Sequence, residues 1–295
     1  MTVTMDEIRS QPTTWRRAVE HLDTVADAVT APGERVLAIG CGTSWFVAQC
    51  FAALRERAGY GETDAACAGQ LTGGRRYDRV VAFTRSGTTT EIVDALVRQP
   101  AGTHRVAVVA NAATPVGAVT DTQVVYPYAD ERSVVQTRFP TTVLAAVRAA
   151  FGADLTEVVG QAERALTMPL PVDPATVEQT VFLGSGWAVG IAHEAALKVR
   201  EAAQSWAESY PATEFRHGPM AVPTHRSLVW QIGTAPDGMA ETVAATGARL
   251  YVSGLDPLAD LVLAQRFAVA MADQRGLDPD RPRLLHRAVI LAPSC

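Results

Sequence analysis

Two stretches of the chain share one plan: a short apolar run with strand character, a glycine turn, then a helix-forming segment. The first is Arg35-Val-Leu-Ala-Ile-Gly40-Cys-Gly-Thr-Ser44, with a helix expected through Ala58; the second is Thr180-Val-Phe-Leu-Gly184-Ser-Gly186, with a helix expected over 188–209. An apolar strand that runs straight into a glycine turn and a helix is the building unit of a parallel sheet, because parallel neighbours are joined by a crossover rather than a hairpin. Further segments continue the alternation. Strands are expected at 79–84, 105–110 and 124–126 with a helix over 89–97, then strands at 227–232 and 249–252 and a helix over 258–275. Strands alternating with helices predict an α/β fold with mostly parallel sheets covered on both faces. The proline-rich Pro169-Leu-Pro-Val-Asp-Pro174 stops helix formation, so two units of similar plan are expected, 1–168 and 169–295.

Composition excludes several classes. At 295 residues, 48% hydrophobic and 19% charged, the chain is globular rather than disordered. A net charge of −5 argues against a nucleic-acid surface. No apolar core of a leader precedes Ser10, and no run is long and apolar enough to span a bilayer, so a soluble cytoplasmic protein without membrane partners is expected. Cys41, Cys50, Cys67 and Cys295 show no CxxC spacing and read as reduced thiols without a metal. No cofactor is implied.

Of the 26 cationic side chains, 25 are arginine; Lys198 is the single lysine. Arginine supplies a fixed charge, whereas lysine gives a compact, tunable ammonium. On a helix over 188–209, Glu194, Lys198 and Glu201 fall at i, i+4 and i+7, on one face. A solvated stripe of ion pairs would have that spacing. The flanking Ile191, Ala195, Ala196, Leu197, Val199, Ala202 and Ala203 favour the other reading, a buried helix that turns one charged strip toward a polar pocket.

Gly40-Cys-Gly42-Thr-Ser-Trp45 departs from a dinucleotide fingerprint, since Trp45 stands at its third glycine and Val189 does so in the second copy. What remains is a concentration of hydroxyls: Thr43 and Ser44 in one turn, Thr84, Ser86, Thr88, Thr89 and Thr90 in the next. Turn amides, hydroxyls and a helix start together suit a phosphate monoester, although Ser and Thr are also common helix caps. The second half keeps almost none of these hydroxyls, so one phosphate site per chain is expected. Cys41 reads as the small side chain that a tight turn requires rather than as a nucleophile, because no base is placed beside it. His217, in Glu214-Phe-Arg-His217-Gly-Pro-Met220, sits in a loop suited to proton transfer, though surface location also accounts for it. Glu201, Lys198 and His217 make a base, a cation and a second proton carrier, a set that suits proton abstraction next to a carbonyl.

These residues, in this order, resemble the sugar-isomerase (SIS) domain proteins, and in particular the isomerase half of glucosamine-6-phosphate synthase. The resemblance is carried by Glu7-Ile8-x-x-Gln11-Pro12, Cys41-Gly-Thr-Ser44, Ser86-Gly-x-Thr89, Glu194-x-Ala-Leu-Lys198-x-x-Glu201, His217-Gly-Pro219 and Asp280-Arg-Pro-Arg283. It implies two tandem SIS domains, each a five-stranded parallel sheet between helices in a flavodoxin-like three-layer arrangement, working as a homodimer. By the same resemblance Ser44, Ser86 and Thr89 hold the sugar phosphate with Thr84 nearby, and Cys41, Gly42, Thr43, Arg85, Gly87, Gln136 and Arg287 complete the expected substrate- and phosphate-binding set. Glu201 then shuttles a proton between C1 and C2, Lys198 supports the enediolate, and His217 of the partner subunit opens the sugar ring.

The departures narrow the activity. About 35 residues precede the first strand, too few for a glutaminase domain, so glutamine is not expected as the nitrogen source. Arg287 stands where the synthases have an imine-forming lysine, and arginine cannot form that imine. Gln136 and Arg85 replace a serine and a glutamine of the synthase sugar site, and Arg85-Ser-Gly-Thr is closer to stand-alone relatives that isomerise or deaminate amino-sugar phosphates or cleave sugar-amine conjugates. The expectation is a phosphosugar aldose/ketose isomerase acting on an amino-hexose phosphate with deamination. The alternative is a non-catalytic sugar-phosphate-binding regulator, which would have no need of Glu201, Lys198 and His217 together.

Overall fold

The computed structural model describes residues 2–20, 22–71 and 73–292, without the side chains of Asp23 and Thr24. The expected α/β class holds: the fold has two parallel sheets flanked by helices. In chain order the elements are α1 (Val3–Val19), α2 (Asp23–Val29), β1 (Val36–Gly40), α3 (Thr43–Arg57), β2 (Thr63–Cys67), β3 (Arg79–Phe83), α4 (Thr90–Val97), β4 (His104–Val109), β5 (Thr122–Val125), α5 (Arg138–Ala150) and α6 (Thr156–Ala165). There follow β6 (Gln179–Gly184), α7 (Ala188–Ala203), β7 (Trp206–Pro211), β8 (Ser227–Gln231), α8 (Met239–Thr246), β9 (Arg249–Val252) and α9 (Pro257–Gln274).

The chain divides into two compact units. One comprises Thr13–Glu131, Arg138–Leu155 and the residues from His286 onward, and the other Met1–Pro12, Arg132–Thr137 and Thr156–Leu285. We call them the five-stranded and four-stranded units after their sheets. These bounds differ from the expected 1–168 and 169–295. The reason is packing: Arg266 of α9 donates to the carbonyls of Ala165 (2.6 Å) and Met168 (2.8 Å), which ties α6 to the unit that follows it in sequence.

The five-stranded sheet has the order β2-β1-β3-β4-β5, all parallel. β1, β3 and β4 supply its core, and Val36, Ala38, Ile39, Val80 to Phe83 and Val106 to Val109 are fully buried. Arg55, fully buried in α3, donates to the carbonyls of Thr30, Ala31, Glu34, Tyr60 and Gly61 and to the Thr63 hydroxyl, fastening the connections on either side of α3. The strand order reverses between β1 and β3. In open parallel sheets such a switch point leaves a crevice at the carboxyl ends of the two strands. Here the turns beyond those ends are Cys41–Gly42 and Thr84–Thr89, the two hydroxyl-rich segments.

The four-stranded sheet has the order β7-β6-β8-β9, again all parallel. Five strands were expected in it, and four are present among the described residues. The helix expected over 188–209 ends at Ala203, where Gln204 takes a left-handed conformation (φ 48°) and caps it. The chain then enters β7, so the last four residues of the predicted helix, 206–209, belong to an edge strand. The two motifs near the ends of the resemblance are ties within this unit. Asp280 accepts from the amides of Val3 and Thr4 at the start of α1 (2.7 and 2.8 Å), and Glu7 accepts from the Arg132 amide and the Ser133 hydroxyl. Gln11 donates to Gln265 of α9 (2.7 Å).

Among the described residues, no helix is long and apolar enough to cross a membrane. Cys41, Cys50 and Cys67 are free thiols, and Cys295 lies outside the described residues.

Candidate active site

The switch-point turns begin with Gly40. A Cβ there would overlap the backbone carbonyl of Ser44, so glycine is what lets α3 start directly above β1. Gly42 is left-handed (φ 55°), and the Ser44 amide closes the turn on the Cys41 carbonyl at 3.1 Å. Thr43 and Ser44 are buried at the first turn of α3. The Cys41 thiol is pushed up to about 12 by burial, with Cys67 and Glu91 adding to the effect. It stays protonated at neutral pH, as a small turn residue would and an activated nucleophile would not.

The second turn lies beyond the neighbouring strand β3, with Thr84 buried and Ser86 and Thr89 partly so. The Thr84 hydroxyl accepts the Gly87 amide (3.2 Å), and the Ser86 hydroxyl accepts the Thr88 amide (3.2 Å). Both hydroxyls keep their protons available to an anion, and α4 begins one residue past Thr89. The structure therefore brings Cys41, Gly42, Thr43, Ser44, Thr84, Ser86, Gly87 and Thr89 to the carboxyl ends of two adjacent strands.

Arg85 and Arg287 belong to the same unit, and their partners are protein groups. The Arg85 guanidinium lies 3.8 Å from the Glu131 carboxylate, with both side chains essentially fully buried, and donates to the Arg287 carbonyl at 2.9 Å. The Arg287 side chain in turn donates to the Glu131 carbonyl and the Asp130 carboxylate. Asp130 and Glu131 were not singled out in the sequence, and Tyr128-Ala-Asp-Glu-Arg carries no motif that would have flagged them.

The remaining predicted residues belong to the four-stranded unit. Gly184 repeats the demand seen at Gly40, because a Cβ would overlap the Ala188 carbonyl, so α7 starts directly above β6. On α7 the Lys198 ammonium is 1% exposed and lies 3.1 Å from Glu194 Oε1 and 2.6 Å from Glu201 Oε2. Burial draws the ammonium down, but Glu194 and Glu201 outweigh it and hold Lys198 above the ordinary lysine value. Lys198 is thus a fixed cation at neutral pH. Glu194 is nearly as buried (5%), whereas the Glu201 side chain is 20% exposed, so Glu201 is the carboxylate of the trio that a solvent-borne molecule can reach. His193, on another face of α7, bonds Ser209 at 2.8 Å and is held toward the neutral form by burial and by Arg200. His217 is exposed just after a short 3₁₀ turn (Glu214–Arg216), and Gln136 is partly buried with its Oε1 lacking a hydrogen-bond partner.

Comparison with known proteins places this geometry. No family model matches the chain. A glutamine–fructose-6-phosphate aminotransferase (isomerizing) from Methanothermobacter thermautotrophicus is 28% identical over 337 aligned residues, which cover 97% of this chain and 57% of that protein. One from Sulfurisphaera tokodaii is 24% identical, covering 96% and 55%. The chain spans about half the length of these curated relatives, the part that is their isomerase domain. The crystal structure of a glucosamine-6-phosphate deaminase from Thermotoga maritima superposes with a TM-score of 0.86 at 23% identity, covering 98% of this chain and all of that one. Over nearly its whole length the chain is similar to the isomerase (SIS) domain of these curated relatives.

Proposed function

We propose that this protein is a phosphosugar aldose/ketose isomerase of the SIS type, acting on a phosphorylated amino-hexose with release of ammonia. One observation carries the proposal: a buried lysine ammonium clamped between two carboxylates, one of which reaches outward. A carboxylate in that position can take a proton from carbon, and the ammonium beside it can stabilise the negative charge that builds on the neighbouring oxygen. A purely structural helix would not bury the Lys198 and Glu194 charges at this spacing when alanine packs there without desolvation cost.

The roles follow. Ser44, Ser86 and Thr89 hold the phosphate, with Thr84 supporting the second turn. His217 opens the sugar ring; its exposure on a surface loop suits service to a second copy of the chain, so the working form is a homodimer. Glu201 removes the proton from C2 of the open-chain aldose and returns it to C1. With an amino group at C2 the result is a ketimine, which takes up water and loses ammonia to leave the ketose. Lys198, kept charged by its carboxylate neighbours, acts through its electric field rather than by forming an imine. The two units are read as tandem SIS domains, and the setting as cytoplasmic. The relatives support the substrate class, since a glucosamine-6-phosphate deaminase and a tagatose-6-phosphate ketose/aldose isomerase from Escherichia coli share the fold.

The test is incubation in D₂O with glucosamine-6-phosphate or with fructose-6-phosphate and ammonium, following the C1 and C2 protons by NMR. Exchange with ammonia release from the amino sugar is expected. Exchange without ammonia release would reduce the activity to isomerisation. Saturable binding of both sugars without any exchange would overturn the catalytic reading.

A further inference from the structure

We propose that Arg85 is a positioning residue, which latches the segment 286–292 across the start of α4 and through it orders the Ser86–Thr89 turn. The assignment of that turn to a phosphate rests on the function proposed above; the latch itself does not.

The segment, which we call the strap, is pinned at alternate residues. The Arg287 carbonyl accepts from Arg85 (2.9 Å), the Val289 carbonyl accepts the Thr90 amide (3.2 Å), and the Leu291 amide donates to the Thr90 hydroxyl (2.9 Å). Burial of its apolar side chains does not hold it, since Val289, Ile290 and Leu291 are 54%, 72% and 53% exposed. The hold is polar, and Arg85 gives it a deeply buried charged donor.

Arg85 is suited to the task by its surroundings. Its charge is answered by the buried Glu131 carboxylate, and the same residue's carbonyl, with the Asp130 carboxylate, receives the Arg287 side chain. Asp130 and Glu131 therefore grip the strap twice, through Arg85 to its backbone and directly to its side chain. A glutamine at position 85 has one short amide and no charge, and it cannot meet both the carboxylate and the strap carbonyl.

The consequence for the turn lies in its amides. A helix start leaves its first N–H groups without intrahelical acceptors. Here Thr84 takes Gly87, Ser86 takes Thr88, and the strap takes Thr90. Without the strap carbonyl the first amide of α4 loses its partner, and the turn that precedes it loses its anchor. An arginine in the middle of a phosphate-type turn is thereby explained without contact to the sugar.

Hydrogen exchange and binding together test this on Arg85→Gln, Arg85→Lys and a chain ending at Leu285, in the full protein and without need of turnover. Arg85→Gln is expected to speed amide exchange about tenfold in residues 286–292 and in Gly87 to Thr90, in line with losing a charge-assisted hydrogen bond. Arg85→Lys should recover part of the protection. Fructose-6-phosphate affinity should fall by a similar factor in Arg85→Gln and in the shortened chain, and combining the two changes should add little. If Arg85→Gln does not fold, the shortened chain and Arg85→Lys still decide. Unchanged strap exchange in Arg85→Gln overturns the proposal, and weakened binding alongside it would assign Arg85 to the phosphate directly. Additive losses in the combined variant would also overturn it. Should the wild-type protein bind no sugar phosphate, the function proposed above fails while the exchange measurements still test the latch.

Discussion

Gly40-Cys-Gly-Thr-Ser44 and Gly184-Ser-Gly-Trp-Ala188 are one backbone carrying two sets of side chains. Each begins with a glycine whose Cβ would strike the carbonyl four residues on, and each continues through a left-handed glycine, Gly42 at 55° and Gly186 at 56°. Each closes with an amide returned to the residue after the first glycine, Ser44 to Cys41 and Ala188 to Ser185, both at 3.1 Å. Beyond that the two diverge. The five-stranded unit places Thr43 and Ser44 at the helix start, where the four-stranded unit has Trp187 and Ala188. Aligned on the glycines, Glu194, Lys198 and Glu201 of α7 fall on Cys50, Leu54 and Arg57 of α3. One copy of the motif kept a turn suited to an anion and a helix without the charged trio; the other kept the trio on its helix and lost the turn's hydroxyls. Geometry was retained in both because the close strand-to-helix passage depends on it, while chemistry was free to divide.

The shared backbone makes the strongest claim. Gly40→Ala and Gly184→Ala should each cost about 4 kcal/mol or more, because the obstructing atoms are main chain and cannot rotate away. Urea unfolding followed by tryptophan fluorescence measures both, and tolerance at either position would end the equivalence of the two junctions. Next in size is Lys198→Met, which gives α7 an uncharged side chain where α3 has Leu54. It leaves the buried Glu194 carboxylate without its cation, so a loss of about 3 kcal/mol is expected together with loss of proton exchange. A neutral outcome in the same unfolding assay would mean that the trio is dispensable to the fold.

Exchanging the turn chemistry is a smaller perturbation. Ser44→Ala makes the first turn resemble the second and should weaken fructose-6-phosphate binding about tenfold while changing stability by less than about 1 kcal/mol. The converse, Ala188→Ser, should add no second binding stoichiometry by calorimetry. A new site there would show that the hydroxyl alone decides which turn binds.

A last difference concerns pH. Asp260 of α9, buried beside the Trp230 indole (3.1 Å), is pushed up to about 7 by burial. An acid whose folded value lies above its unfolded value favours the fold in its protonated form. That contribution is complete below about pH 4 and is lost as pH rises toward 7. Between pH 6 and pH 8 the four-stranded unit should lose about 1.4 kcal/mol, and Asp260→Asn should flatten the dependence. A profile that Asp260→Asn does not alter would remove the group from consideration.

Legibility in the sequence followed burial. β1, β3, β4, β6, β8 and β9 were visible as apolar or β-branched runs between turn residues, and most of them lie inside a sheet with both faces covered. β2 (Thr-Asp-Ala-Ala-Cys) and β7 (Trp-Ala-Glu-Ser-Tyr-Pro) were not anticipated. Both are edge strands with partly exposed faces, and their residues satisfy no single period. The end of α7 was hidden for a related reason: Gln204 adopts a conformation that ordinarily signals glycine, so no breaker marks the stop. At the site, the spacing of Glu194, Lys198 and Glu201 showed that they share a face, but not that Lys198 would be almost completely enclosed. Arg85 was legible as a departure from a motif, and its partners were not.

The sequence by itself determined the parallel α/β plan, the two glycine junctions, the hydroxyl-rich turns and the spacing of the charged trio. Each of these is written in residues a few positions apart, where sterics and helical periodicity act directly. Only the tertiary structure decided that Lys198 is held between two carboxylates in a dry environment, that residues from His286 onward join the five-stranded unit, and that Arg85 reaches a carbonyl 202 positions away. Those outcomes depend on which buried charge finds which partner once the sheets have formed, and desolvation sets that choice for the folded chain as a whole.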